Sequence, residues 1–244
     1  MTTSNRLEGK LALVTGVTSG IGAATLRALL AREMRVIGVG RDPARLAATA
    51  RELGPRFRPI LADLAEPAAR RRALSELAEE PLSLLVNNAA ECVFESLDQL
   101  PPARLSRLFE INVTAVLELV QLVAPRMGAG AQIVNVSSVV ARHLPSSKFA
   151  AYAATKTALD CLTEALRLEL HPRGVHVSSI LPGLVDTPIY DKVEGFERTR
   201  QKLHEQVPTW LSAEDVAEAI VWIATRPAHL VISELTILPS AQAR

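Results

Sequence analysis

Short apolar runs alternate with longer helical patterns along nearly the whole chain, and this alternation constrains the fold more than any other feature. The runs Leu11–Thr15, Arg35–Val39, Arg56–Leu61, Leu82–Val86, Gln132–Val136, His176–Leu181 and Val231–Leu238 read as strands. Helical patterns lie near residues 20–31, 43–53, 67–79, 102–126, 149–171 and 213–225. Mostly apolar strands separated by helices indicate a parallel sheet covered on both faces. Right-handed crossovers then close it as a doubly wound, Rossmann-type α/β fold of seven strands. No repeat or long linker divides the 244 residues, so 1–244 is expected to form one domain. Residues 183–212 are the long interval without a strand, and they mix Pro, Gly and charge with Ile189, Tyr190, Phe196 and Trp210. Such a stretch is expected to be a substrate-binding lid; the alternative is a surface helix pair without function.

Composition narrows the class of ligand. A net charge of +1 leaves no broad footprint for nucleic acid or anionic membrane. Five scattered histidines form no metal-ligand spacing, so no metal is expected. Cys92 and Cys161 suggest no disulfide framework, the N-terminus lacks the apolar core of a signal peptide, and no apolar run reaches membrane-spanning length. A cytoplasmic protein acting on a small molecule is the expectation.

Three segments carry chemistry. The first strand runs into Thr15-Gly16-Val17-Thr18-Ser19-Gly20-Ile21-Gly22 and then an apolar helix. Glycines there let the backbone approach a pyrophosphate, which the helix N-terminus attracts. Past the second strand, Gly40 leaves space where a ribose-binding acid would stand, and Arg41 suits a 2′-phosphate. Asp42, before Pro43, reads as a helix cap instead. NADP is therefore expected over NAD. Tyr152 and Lys156, four apart, share one helix face, so the ammonium is expected to lower the phenol pKa and make it a proton carrier.

These segments resemble the short-chain dehydrogenase/reductase family over nearly the whole chain. The likeness also rests on Asn87-Asn88-Ala89-Ala90, Asn112, Ser137-Ser138 and Pro182-Gly183, in the family's order. It implies a catalytic tetrad of Asn112, Ser138, Tyr152 and Lys156. Tyr152 would exchange the substrate proton, Lys156 would hold the nicotinamide ribose, Ser138 would bind the substrate oxygen and Asn112 would organise a water chain. Ser137 is the alternative to Ser138. The resemblance further implies cofactor contacts at Gly16, Thr18, Ser19, Gly20, Ile21, Gly22, Arg41, Asp63, Leu64, Asn88, Ala89, Tyr152, Lys156, Pro182, Gly183, Val185 and Thr187, with Asp63 beside the adenine and Val185 and Thr187 at the carboxamide.

Some residues depart from the pattern. Ala90 replaces a common glycine and could narrow the site. The C-terminal segment resembles the branch with NADP-dependent dehydrogenases of serine and other 3-hydroxy acids, and Arg142, with Lys148 or His143, is a candidate for a substrate carboxylate. Cys92 lies near the site without a visible base. Surplus apolar stripes on helices 102–126 and 149–171 imply, by the resemblance, a homodimer or homotetramer. The expected function is NADP-dependent hydride transfer on a hydroxyl/carbonyl pair, with a 3-hydroxy acid as one candidate substrate. The alternatives are a ketoreductase for a bulkier or carrier-bound 3-ketoacyl group in secondary metabolism, and a cofactor-binding regulatory protein without turnover.

Overall fold

Seven parallel strands form one sheet in the order β3-β2-β1-β4-β5-β6-β7 in the computed structural model, which describes residues 7–75, 80–191, 193 and 195–243. They are β1 (Leu11–Thr15), β2 (Arg35–Gly40), β3 (Phe57–Leu61), β4 (Leu84–Asn87), β5 (Gln132–Val136), β6 (His176–Pro182) and β7 (Glu234–Ile237). All seven lie within the runs read as strands or extend them by one residue. Strand β1 explains why the sheet is covered on both sides. Its side chains alternate, with Leu11 and Leu13 in one core and Ala12 and Val14 in the other, all buried.

The first core is closed by α5 (Ala115–Val123) and α6 (Ala150–Leu170), through Leu119, Val120 and Leu166. The second is closed by α1 (Gly20–Leu30) and α8 (Ala213–Ala224), through Leu26, Leu29, Val216 and Ile220. Helix α2 (Pro43–Leu53) starts as expected: Asp42 accepts from the Arg45 N–H at 3.0 Å and proline stands in the first turn. Helix α3 covers Pro67–Ser75, and residues 76–79 of the expected helix lie outside the described residues.

Three expectations need correction. The segment 102–126 is not one regular helix: α4 (Pro102–Phe109) passes through a π-helical turn, Glu110–Thr114, into α5. By length and composition Pro102–Arg126 does reach membrane-spanning size, but Ala115, Leu119, Val120 and Val123 pack into the first core. The interval 183–212 is not a helix pair; it holds a short turn, Pro188–Tyr190, and a single helix, α7 (Glu197–Gln206).

Strand order reverses beside β1: the chain moves outward to β3 and then crosses back to β4. In such sheets ligands bind at this switch, outside the carboxyl ends of the strands. The reversal puts the turn after β1 next to the turn after β4.

Candidate active site

Hydrogen bonds from the side chain of Thr15 and from Asn88 join those two turns. The Thr15 hydroxyl accepts the N–H groups of Asn88 and Ala89, both at 2.9 Å, while Asn88 Nδ2 donates to the Thr15 carbonyl at 2.8 Å. Space inside the turn is minimal. A Cβ on Gly22 would lie 2.2 Å from the Gly16 carbonyl oxygen, and Gly16 itself has φ +75. Only glycine fits both demands. Ser19 places no side-chain cap on α1, and Ser19, Gly20 and Ile21 line a cleft of about 630 Å³. An uncapped helix start reached through a glycine turn fits a cofactor pyrophosphate.

The same cleft is lined by Gly16, Arg41, Asp63, Leu64, Asn88, Ala89 and Thr187 from the expected cofactor set. Thr18, Gly22, Tyr152, Lys156, Pro182, Gly183 and Val185 do not line it. Thr18 packs on Gly40, Pro182 ends β6, and Gly183 packs on Gln242, whose Oε1 accepts from the Leu184 N–H at 2.8 Å. Val185 is buried and bridges to Leu211. Gly40 is not open space, as the sequence reading held: an added Cβ would lie 2.7 Å from Thr18 Cγ2. An acid at the strand tip would have to displace Thr18, which weighs against a ribose-binding carboxylate there.

Arg41 belongs to a charge cluster that the sequence did not reveal. Glu91 bonds Arg41 at 2.5 Å and Arg107 at 3.0 Å, and Arg107 also pairs with Asp63 at 2.8 Å and Glu66 at 3.4 Å. Burial pushes the Asp63 carboxyl up, but the Arg107 hydrogen bond, the Ala65 N–H and the nearby guanidinium charges outweigh it and hold the group below its usual range.

The tetrad candidates converge on α6. Tyr152 is 7% exposed and Lys156 2% exposed, with the ammonium 5.7 Å from the phenol ring centroid. Ser138 precedes a short 3₁₀ turn; its hydroxyl accepts from the Val140 N–H at 3.3 Å and acts to lower the pKa of the Tyr152 phenol. Ser137 is directed elsewhere, donating to the Lys156 carbonyl at 3.5 Å. Asn112 lies within the π turn. Its side chain clamps the Glu91 backbone, accepting from N–H at 2.9 Å and donating to C=O at 3.0 Å. It also donates to Thr155 Oγ1 at 2.9 Å, and Thr155 donates to the Tyr152 carbonyl at 2.7 Å. Thr155, completely buried, was missed because one threonine on a helix carries no distinguishing pattern.

The expected depression of the phenol pKa is not what dominates. Burial raises Tyr152 well above the ordinary phenol range, and the Ser138 hydrogen bond opposes it only in part. Lys156 donates to the Val136 carbonyl at 2.8 Å rather than to the phenol, and burial lowers its ammonium to about 8. Burial also raises the Cys92 thiol to about 12, against the pull of Lys156. That thiol is inert as a nucleophile at neutral pH.

Around Tyr152 lies one apolar cluster built from Cys92, Val93, Phe149, Val193 and Phe196, with Phe94 and Tyr190 against it. Val193 and Phe196 bring the segment after β6 over the tyrosine. Arg142 stands outside this group. Its guanidinium pairs with Asp160 at 2.9 Å and Glu234 at 2.6 Å, so the proposed carboxylate ligand is already neutralised. Lys148 is exposed, 5.3 Å over the Phe94 ring, and His143 is exposed.

Known proteins are similar to this chain in sequence and fold. Residues 10–197 match the short chain dehydrogenase family. Serine 3-dehydrogenase of Agrobacterium fabrum is 33% identical over 234 residues, covering 94% of both chains. Human L-xylulose reductase is 33% identical over 222 residues, covering 89% of both. The structure of a short chain dehydrogenase from Burkholderia cenocepacia in complex with NADP aligns with a TM-score of 0.87 at 33% identity, over 98% of this chain and 100% of that one. With its glycine turn, its strand order and the Tyr152/Lys156 face in place, the chain belongs to the short chain dehydrogenase family of oxidoreductases.

Proposed function

We propose that the chain is an NADP-dependent dehydrogenase/reductase that interconverts a secondary hydroxyl and a carbonyl, with Asn112, Ser138, Tyr152 and Lys156 as its working residues. The observation that carries this reading is Tyr152, buried in an apolar cluster with Phe149 and Phe196, with the buried Lys156 ammonium 5.7 Å from its ring centroid. NADP, when bound, supplies or accepts the hydride at its nicotinamide. Gly16, Gly20, Ile21 and Asn88 would hold its pyrophosphate side, and Arg41 its 2′-phosphate. Ser138 binds the substrate oxygen. Tyr152 holds the proton that this oxygen gains on reduction; a raised pKa keeps the phenol protonated at neutral pH and favours its role as acid. Asn112 and Thr155 fix the position of the tyrosine backbone, and the segment 183–212 excludes water as a lid.

The rings of Phe94, Phe149, Tyr190 and Phe196 favour a carbonyl with an apolar substituent of medium size. A small 3-hydroxy acid is the second reading, favoured by the likeness to serine 3-dehydrogenase, with Lys148 in place of Arg142 as the cation. The exposed Leu122 and Leu168, on α5 and α6, support a homodimer or homotetramer. A panel of ketones, 3-keto acids and 3-hydroxy acids, followed by NADPH absorbance, tests the assignment. Turnover of neutral ketones above acids is expected. Tight NADPH binding without turnover across the panel sinks the catalytic reading, and acids outperforming every ketone transfers it to the second.

A further inference from the structure

Glu91 gives its carboxylate to guanidinium groups from two different elements. Its Oε1 bonds Arg41 Nη1 at 2.5 Å, just after β2, and Arg107 of α4 at 3.0 Å; its Oε2 takes a second Arg107 bond at 3.2 Å. Glu91 lines the cleft with Arg41, and its side chain is 24% exposed. It is no drifting surface group, because Asn112 clamps its backbone from both sides. The two arginines are not equivalent. Arg107 keeps Asp63 and Glu66 as further partners, whereas Arg41 has Glu91 as its hydrogen-bonded carboxylate among the described residues.

We propose that Glu91 is an internal competitor for the 2′-phosphate site, and that it sets how strongly the chain prefers NADP(H) over NAD(H). The proposal rests on the reading of Arg41 as the 2′-phosphate ligand. A phosphate arriving at Arg41 must displace Glu91 or share the guanidinium with it, and a carboxylate beside a phosphate repels it. The exchange leaves no orphaned charge, since Glu91 retains both Arg107 bonds. NAD(H) has no 2′-phosphate and leaves the Arg41–Glu91 pair intact. The competition therefore weakens only the phosphorylated cofactor.

Direct titration of the purified full chain with NADPH and NADH, by calorimetry or cofactor fluorescence, tests this without turnover. Glu91→Gln should tighten NADPH binding by at least about threefold, as expected for release of one partly exposed ion pair, and leave NADH within about twofold. Glu91→Asp, which retains the charge on a shorter stem, should shift NADPH in the same direction by less. It also serves if the glutamine variant does not fold. Glu66→Gln, which touches Arg107 and not Arg41, should change neither. Equal shifts for both cofactors, or weaker NADPH binding in both Glu91 variants, would overturn the competition while Arg41→Ala still abolishes the preference. If Arg41→Ala leaves the preference intact, the assignment of Arg41 fails first, and the competition with it.

Discussion

The cofactor side of the cleft and the aromatic cluster around Tyr152, the proposed substrate side, are built from different material. On the cofactor side the shape is set by backbone: Gly16 at φ +75, Gly22 against a carbonyl oxygen, and N–H groups of Asn88 and Ala89 fixed to Thr15. On the substrate side it is set by rings from three distant segments. Phe94, Phe149 and Phe196 meet with centroids 4.9–5.8 Å apart, and Tyr190 stacks on Phe196 at 4.7 Å. A backbone demand allows one residue type and leaves a local mark in the sequence. Ring packing can be met by many combinations and leaves none. The first side is thus fixed by the family, while the second is free to change substrate.

Tyr152 belongs to the aromatic cluster and is the proposed proton donor, so its removal separates chemistry from binding most sharply. Tyr152→Phe keeps most of the ring in its apolar cluster and deletes the hydroxyl. Turnover should fall at least roughly a hundredfold, the low end for a positioned acid–base group. NADPH affinity, measured by titration, should stay within a few-fold. Near-normal turnover in the purified variant would show that the proton comes from elsewhere.

Lys156 gives the comparison a pH axis. Burial puts its folded-state pKa near 8, below the ordinary lysine value, so the ammonium is present below pH 8 and lost above it. Since kcat/KM reports ionisations of the free enzyme, the reductive kcat/KM should bend near pH 8 and then fall by about tenfold per pH unit. Lys156→Arg carries a charge that does not titrate in this range, and its remaining activity should be flat from pH 7 to 10. A bend at the same pH in the arginine variant would assign it to another group.

Arg41→Ala probes the cofactor side alone. Loss of one charge-assisted contact should weaken NADPH relative to NADH by about 1.5 kcal/mol, near tenfold, at the low end for such bonds because Glu91 already occupies the guanidinium. Paired dissociation constants check it. On the substrate side, Phe196→Leu should raise KM for a good ketone by a few-fold while leaving NADPH affinity unchanged. An equal loss of cofactor affinity would mean that the two sides do not act separately.

What could be read from sequence follows the same division. Every strand was legible from its apolar run, and the tight turn after β1 from Gly16, Gly20 and Gly22, because each depends on neighbours close in the chain; Asn88 came only from the family resemblance. Glu91 was not, since its meaning comes from Arg41, 50 positions away, and Arg107, 16 positions away. The π turn at Glu110–Thr114 was also hidden inside a continuous helical pattern. The direction of the Tyr152 shift was misread because the spacing to Lys156 reveals a shared face but not the depth at which both are buried.

The smallest expected kinetic effect concerns a residue that sequence placed on the wrong side of this division. Arg142, four positions beyond Ser138, looked like a carboxylate anchor. Instead it serves Asp160, an 8% exposed acid whose other oxygen accepts from Ser179 at 2.8 Å, and Glu234 at the edge of the sheet. Arg142→Leu leaves Asp160 with that one hydrogen bond and without its ion pair. The variant should therefore lose about 1–3 kcal/mol of stability, the cost of stranding a buried polar group, and melt at a lower temperature. KM for 3-hydroxy acids and for neutral alcohols should both stay within about twofold of the parent at a temperature where the variant is folded. A KM that rises for the acids alone, with the melting temperature unchanged, would restore Arg142 as a substrate ligand and turn the second reading of the substrate into the first.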